Sequence, residues 1–193
     1  MRKKDQLTFI LLGVGLVVVI IVGFFLFKGN TQTAPEGYQI YKSDKDHYSL
    51  IYPEDWLVSP PVPGVSSQFI AKIKNLRSKP LPIPESVNIV VDNLEKSPKQ
   101  LDQYTDTAIN QVRVVFKDNI DVIESKPTQL SGQPAYLFSY IVKFPGKGNL
   151  KMKHIWTIVN NKGYQFTCAG NVSTFDLYSD SYDRMIESFK ITR

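Results

Sequence analysis

The sequence has one cysteine and two histidines in 193 residues, and this scarcity excludes several kinds of site. A single thiol, Cys168, cannot form an intramolecular disulfide, a cysteine-rich zinc site or an iron–sulfur cluster. With only His47 and His154 available, a metal centre built from histidines is disfavoured. The motifs G-x-S-x-G, G-x-x-x-x-G-K-[ST], H-E-x-x-H and G-x-G-x-x-G are all missing. We therefore expect a protein that is not an enzyme.

The charge of the chain gives little reason to expect nucleic acid binding. The net charge is +5 and the isoelectric point about 9.1. Arg2, Lys3, Lys4 and Asp5 contribute +2 of that charge, which leaves +3 for the rest of the chain. A nucleic-acid-binding domain carries a much stronger basic patch. We expect no nucleic acid partner.

Residues 7–27 form the one long apolar run, without a charged residue, Asn, Gln, His or Pro. As a helix these 21 residues would be about 31 Å long, enough to cross a bilayer core. The run exceeds the apolar region of a signal peptide, and no small-residue cleavage site follows it. We interpret it as an uncleaved single-pass anchor that attaches the chain to a membrane; a cleaved export signal is the alternative.

The basic residues around this run predict its orientation. Arg2, Lys3 and Lys4 precede the run, whereas only Lys28 directly follows it. Positively charged flanks stay on the cytoplasmic side of a membrane. The N-terminus is therefore predicted to be cytoplasmic.

The interpretation of residues 7–27 as a membrane anchor also divides the rest of the chain. Residues 1–6 are the predicted cytoplasmic N-terminus, residues 28–37 a linker, and residues 38–193 one domain. That domain would lie outside the cytoplasm, at the cell surface, in the periplasm or in a topologically equivalent lumen.

The pattern of the domain predicts an α+β fold, with an antiparallel sheet flanked by helices. A first helix follows Ser97, where Ser-Pro-Lys-Gln is a helix-start signal, and a second begins near Ser173. In the run 135–144 apolar residues occupy both odd and even positions, so both faces of the sheet should be covered. The predicted strands are 38–43, 48–52, 68–73, 87–91, 122–127, 135–144, 152–160 and 164–169.

Cys168 is the best candidate nucleophile, and His154 is the nearest base. If residues 161–163 form a three-residue loop, Trp156 faces Cys168, and His154 becomes a diagonal neighbour of Cys168 on the same face. A Cys–His dyad is then one hypothesis, but a buried thiol beside Trp156 is the favoured interpretation. His154 is also a candidate ligand for a weakly held divalent cation such as calcium. An exposed or hydrogen-bonded histidine is the more common alternative.

Several charged and polar groups have two interpretations each. The lysines around the turn 145–149 are a candidate partner-binding tip for an acidic protein or anionic headgroups, or an edge protected against aggregation. Three aspartates on one helix face indicate a solvated surface more than a calcium site. The proline-rich stretch 80–84 and the sequon 171–173 are more typical of a rigid loop and a capped turn than of a polyproline ligand and a glycosylation site. The lysines are Lys143, Lys147, Lys151 and Lys153, and the aspartates are Asp176, Asp180 and Asp183.

Five strings, taken in order, resemble the PsbP family. The segment 38–56 (YQIYKSDKDHYSLIYPEDW) is similar to the family's opening strand and Y-P-x-x-W turn, and 87–92 (VNIVVD) to its next block. The segment 132–142 (GQPAYLFSYIV) resembles its G-x-x-Y-Y strand, 153–170 (KHIWTIVNNKGYQFTCAG) its histidine-containing hairpin, and 186–191 (IESFKI) its ending. Together these strings span the whole predicted domain.

The resemblance implies a PsbP-like α/β/α sandwich and a non-enzymatic role. The best-known members lie on the lumenal face of photosystem II and support calcium and chloride retention at the oxygen-evolving centre. His154 matches a histidine proposed to bind metal in some members, although Ser173 and Thr174 stand where its acidic partner is expected. We expect a membrane-anchored binding or stabilising domain with a protein partner, such as a photosystem II accessory or assembly factor. The alternative is a small-molecule- or ion-binding surface protein of a non-photosynthetic bacterium or archaeon.

Overall fold

The computed structural model describes residues 34–60, 62–72, 84–97, 99–144 and 148–192. The predicted anchor at 7–27 and the first six residues of the linker lie outside these ranges. Within them, no helix combines the length and apolarity that a membrane span requires.

The described residues form ten strands, two α-helices and one 3₁₀ helix. The helices are α1 (Leu101–Phe116), the 3₁₀ helix (Phe175–Tyr178) and α2 (Ser179–Ser188). The strands are β1 (Tyr38–Ser43), β2 (Tyr48–Pro53), β3 (Leu57–Val58), β4 (Ser67–Ile70), β5 (Ser86–Asn93), β6 (Ile120–Leu130), β7 (Gln133–Val142), β8 (Leu150–Val159), β9 (Lys162–Asn171) and β10 (Lys190–Ile191).

The strands make two antiparallel sheets. The larger has seven strands in the order β3-β4-β5-β9-β8-β7-β6, and the smaller has three in the order β1-β2-β10. Each neighbouring pair is antiparallel. The predicted α+β class with an antiparallel sheet is confirmed. The division into two sheets was not predicted, because it depends on which distant strands pair: β2 pairs with β10, which has only two residues and leaves no periodic pattern in the sequence.

Both faces of the seven-stranded sheet are covered, as the run 135–144 predicted. Phe138 and Tyr140 of β7 pack in a core with Val112 of α1, on what we call the α1 face. Leu137, next to Phe138 along the chain, packs in a second core that contains Met185 of α2, on the α2 face. The small sheet contributes to this second core. Successive side chains of a strand point to opposite faces, so one strand serves both cores.

Close contacts fasten α1 to the sheet. The indole Nε1 of Trp156 on β8 donates to Thr105 Oγ1 at 2.8 Å, and both side chains are buried. At Gly163 on β9 a Cβ atom would lie 2.9 Å from the Tyr104 ring, so only glycine lets the strand approach the helix this closely. The helix is therefore held against both β8 and β9.

The start of α1 differs from the prediction by three residues. Gln100 is the N-cap, and its backbone N–H donates to Gln103 Oε1 at 3.2 Å, which caps the first turn. The backbone N–H of Ser97 donates instead to Leu94 O at 3.1 Å, so Ser97 belongs to the preceding turn. The helix itself, which apolar spacing predicted, is confirmed.

The start of α2 was predicted too early. The hydroxyl and the backbone N–H of Ser173 both donate to Asn171 Oδ1, at 2.7 and 2.9 Å, and this closes an Asx turn. The 3₁₀ helix follows, and α2 begins only at Ser179. The sequon at 171–173 therefore forms a turn at the end of β9.

Candidate functional site

The turn between β8 and β9 decides which candidate residues meet. Asn160 and Asn161 have φ values of 50° and 56°, as in the two-residue turns that join antiparallel strands. The register therefore pairs His154 with Thr167 and Lys153 with Cys168. The hypothesis of a three-residue loop, which paired Trp156 with Cys168, is wrong.

This register places Cys168 and His154 on opposite faces of the sheet. Cys168 packs with Met185 and Phe166 on the α2 face and has no exposed surface. Burial raises the pKa of its thiol far above the ordinary value, so the thiol stays protonated and is a poor nucleophile. The Cys–His dyad is excluded by this geometry, and the predicted burial of Cys168 is confirmed. Its predicted neighbour is wrong, because Trp156 packs in the core on the α1 face.

His154 lies on the α1 face, with 4% of its surface exposed. Its Nε2 is hydrogen-bonded with the Tyr140 hydroxyl at 3.1 Å, and its Nδ1 with Thr167 Oγ1 at 3.0 Å. The Tyr140 ring stacks on the imidazole, with 5.5 Å between ring centroids. Burial lowers the pKa of His154 from 6.5 to about 4. The ring is therefore neutral at physiological pH, and both nitrogens have partners.

The surroundings of His154 do not fit a divalent cation. Calcium takes six to eight oxygen ligands, several of them carboxylates, and zinc takes about four ligands from Cys, His and carboxylates. The hydrogen-bond partners of His154 are two neutral hydroxyls. In the described part of the chain, no group of three or more His, Cys, Asp or Glu side chains could hold a metal ion. The proposed metal ligand thus gains no support from its neighbours.

Two of the lysines predicted to form a binding tip connect β8 with the helices beside it. Lys151 Nζ lies 2.8 Å from Asp176 Oδ1 in the 3₁₀ helix. Lys153 Nζ lies 2.8 Å from Asp183 Oδ1 in α2. These two side chains therefore pair with acidic residues of the domain itself.

The remaining lysines of the predicted tip are Lys143 and Lys147. Lys143 follows β7, and its Nζ lies 2.7 Å from Asp121 Oδ1. Lys147 lies outside the described residues. The structure thus brings no two of the described lysines to a common partner, and partner binding by the four lysines stays a prediction.

A groove between α2 and strands β6–β8 is a concave feature that sequence reasoning missed. Two adjoining cavities of about 400 and 280 Å³ share Gln129, Ile186 and Glu187 in their walls, and we call them together the α2 groove. Leu137 and Ile155 form its apolar floor with Ile186. Its lining comes from separate elements, so no local motif predicts it. Charged side chains that line it are Glu124, Lys126, Lys153, Asp183, Glu187 and Lys190.

Comparison with known proteins identifies the family. A family model for PsbP matches residues 36–191. The chain belongs to the PsbP family. The resemblance inferred from the sequence is therefore confirmed, whereas a search of curated proteins found no match.

Solved structures show how widely this PsbP-family fold occurs. The solution structure of cyanobacterial PsbP (CyanoP) from Synechocystis sp. PCC 6803 has a TM-score of 0.61 and 17% identity, covering 85% of this chain and 98% of that one. LpqN of Mycobacterium tuberculosis, involved in cell envelope biogenesis, has a TM-score of 0.54 and 10% identity, with coverages of 81% and 92%. The Saccharomyces cerevisiae Ran-binding protein Mog1p has a TM-score of 0.56 and 6% identity, with coverages of 80% and 95%. At these identities the likeness shows the fold alone.

Proposed function

We propose that this chain is a non-catalytic, membrane-tethered PsbP domain that binds a segment of a partner protein in the α2 groove, outside the cytoplasm. The observation that carries the proposal is the combination of an apolar floor and a charged rim in that groove. Protein interfaces have this anatomy. The tether is inferred from the apolar run 7–27 and the basic residues before it.

The charges of the groove favour an uncharged, apolar segment as the occupant. Lys126 pairs with Glu124, and Lys153 pairs with Asp183, so each of these charges already has an opposite charge beside it. A strongly charged occupant would gain little from such a balanced rim. Apolar side chains of a partner would instead be buried against Ile186, the half-buried residue of the floor, at about 25 cal/mol per Å².

The features of strand β6 favour a partner segment that docks in the α2 groove over one that pairs with β6 as an added strand. It is an edge strand of the seven-stranded sheet. Pro127 has no N–H to donate, Lys126 adds a charge, and the pairing with β7 is interrupted between Val122 and Glu124. Such features protect an edge from pairing with another strand. A partner segment would therefore lie beside β6, on the floor of the groove.

The positions of Cys168 and His154, which the sequence suggested as a nucleophile and its base, support a non-catalytic role. Cys168 and His154 are buried in separate cores, and neither lines the groove. A nucleophile and its base must lie within hydrogen-bond reach of each other, and a sheet separates these two.

The family suggests a specific version and an alternative. A photosystem II accessory or assembly factor is the specific version, and it rests on the PsbP resemblance. The alternative is a small-molecule- or ion-binding surface protein of a non-photosynthetic cell, for which the cavity of about 400 Å³ would be the site. Relatives described as a Ran-binding protein and as a protein of envelope biogenesis share the fold, so the fold leaves the partner open.

Affinity purification of the tagged, full-length chain from gently solubilised source membranes tests the proposal. We would compare the wild type with Ile186→Arg in the groove and with Val114→Arg, a control at an exposed residue of α1. We expect one or more proteins to co-purify with the wild type and the control, and to be lost with Ile186→Arg. Recovery of photosystem II subunits would support the specific version. Equal recovery with both variants would contradict binding in the groove.

A further inference from the structure

The outer edge of β1 carries backbone groups that the small sheet does not use. The backbone N–H of Ile51 on β2 donates to Ser188 Oγ at 3.0 Å, on the side of β2 that faces β10. Ile51 lies opposite Ile40, so these two residues are a non-hydrogen-bonded pair of the antiparallel ladder. The N–H and C=O of Ile40 therefore point outward, away from β2. Because this pattern alternates along a strand, those of Lys42 point outward as well.

Nothing else in the described chain pairs with this edge. β1 is the last strand of the three-stranded sheet. Apart from the ladder with β2, the described residues make no backbone–backbone hydrogen bond with Ile40 or Lys42. The charge of Lys42 has a partner of its own, since its Nζ lies 2.7 Å from Asp44 Oδ1. We call the outward N–H and C=O groups of Ile40 and Lys42 the β1 edge.

The other sheet edges of the described chain are short or protected. Strand β6 contains Pro127 and has an interruption in its pairing with β7. Strands β3 and β10 have two residues each, and the N–H of Ile191 on β10 already donates to Ser131 Oγ at 2.9 Å. In contrast, β1 has six residues, no proline and uninterrupted pairing with β2. An edge of this kind is a template for an added strand.

We propose that the β1 edge pairs with β1 of a second copy of this chain, in an antiparallel dimer whose two-fold axis passes beside Ile40. A two-fold contact requires a surface that is complementary to itself. With Ile40 opposite Ile40 of the second copy, the outward groups of both strands face each other. The Tyr38 N–H already donates to Pro35 O at 3.0 Å, so the new pairing ends at Tyr38. The two small sheets, of three strands each, become one sheet of six.

The side chains of β1 suit this symmetric pairing. Lys42 lies opposite Tyr38 of the second copy, because each residue is two positions from Ile40. A lysine beside a tyrosine ring makes a favourable cation–π contact. The two copies of Lys42 are separated by about 13 Å along the strands, so like charges do not face each other. This self-complementarity favours a second copy over an unrelated strand.

Disulfide cross-linking of the full-length chain in a mild detergent tests the pairing and its register. In the dimer the two Cα atoms at position 40 are an opposed, hydrogen-bonded pair about 5.5 Å apart, which a disulfide can span. The two positions 42, about 13 Å apart, are too distant. We expect mild oxidation to yield several-fold more linked dimer from Ile40→Cys than from Lys42→Cys. The buried Cys168 should not take part, and the unsubstituted chain checks this.

The variant Ile40→Pro tests the same edge without an added thiol. The Ile40 N–H points away from β2, so proline removes no hydrogen bond of the ladder, and edge strands accept proline at such positions. Ile40→Val keeps the N–H and is the matched control. Analytical ultracentrifugation over a concentration series should show a dimer, twice the chain mass of 21.9 kDa, for the wild type and Ile40→Val. Ile40→Pro should remain a monomer with an unchanged circular dichroism spectrum.

Two results would overturn the proposal. The first is a wild type that stays monomeric at every concentration, or a dimer that a folded Ile40→Pro retains. The second is equal cross-linking from Ile40→Cys and Lys42→Cys, or none from either. The cross-linking result does not depend on the folding of the proline variant, so it decides the outcome if that variant unfolds.

Discussion

His154 and Cys168 lie on the neighbouring strands β8 and β9, with their side chains on opposite faces of the seven-stranded sheet. His154 is enclosed with Tyr140 and Thr167, and Cys168 with the core beneath α2. This separation leaves each residue with a structural role and leads to different predictions for the two.

Cys168 should be inert in the folded protein. Its side chain is fully buried, and burial raises the pKa of the thiol, so little thiolate is present at neutral pH. A chromogenic disulfide reagent should release no signal from the native protein and one equivalent per chain in concentrated guanidinium chloride. Rapid reaction of the native protein would contradict the burial of this thiol.

His154 should make stability depend on pH. The pKa of His154 in the folded chain, about 4, lies below its ordinary value of 6.5, so the unfolded chain binds the proton first. The stabilisation is present above pH 6.5 and is lost as the pH falls toward about 4, by roughly 3 kcal/mol. Urea denaturation across this range would measure the loss.

The variant His154→Gln isolates this effect. An amide can still bond the two hydroxyls but does not titrate, so the variant's free energy of unfolding should fall less steeply with decreasing pH. His47→Asn, at an exposed histidine with positive φ that asparagine tolerates, is the control. An unchanged slope in His154→Gln would show that another group carries the dependence.

The bond between Trp156 and Thr105 should contribute measurably to stability. Thr105→Val removes the acceptor and leaves the indole N–H buried without a partner, which costs about 1–3 kcal/mol. Thr107→Val on the same helix removes a half-buried hydroxyl that donates to Gln103 O and accepts from Lys99 Nζ, and should cost less, about 0.5–1 kcal/mol. Chemical denaturation compares the two. Similar effects in both variants would contradict a special role for the buried bond.

The sequence predicted the helices and strands better than the turns that join them. Helix α1 and strand β1 follow from apolar spacing over many residues, and β1 has the predicted bounds. The turn at Asn160 and Asn161 depends on two positive φ angles, and a one-residue difference there reverses which face each later side chain occupies. Sequence reasoning therefore placed His154 and Cys168 together, although the register separates them.

The ion pairs of the lysines also could not be predicted from the sequence. Lys153 and Asp183 are 30 residues apart, and nothing local indicates that α2 packs beside β8.

Lys153→Glu should destabilise the fold by about 1 kcal/mol through repulsion from Asp183, and Lys153→Glu with Asp183→Lys should restore most of it. Thermal denaturation of the three proteins measures this. Failure of the double variant to recover would contradict a direct pairing.

The most direct test of the central claim is site-specific photocrosslinking from the α2 groove in source membranes. A photoreactive residue at Glu187 in the groove would be compared with one at Val114, an exposed residue of α1 outside it. We predict a discrete cross-linked partner protein from Glu187 and none from Val114. A partner captured from Val114 but not from Glu187 would contradict the claim that the groove is the binding site.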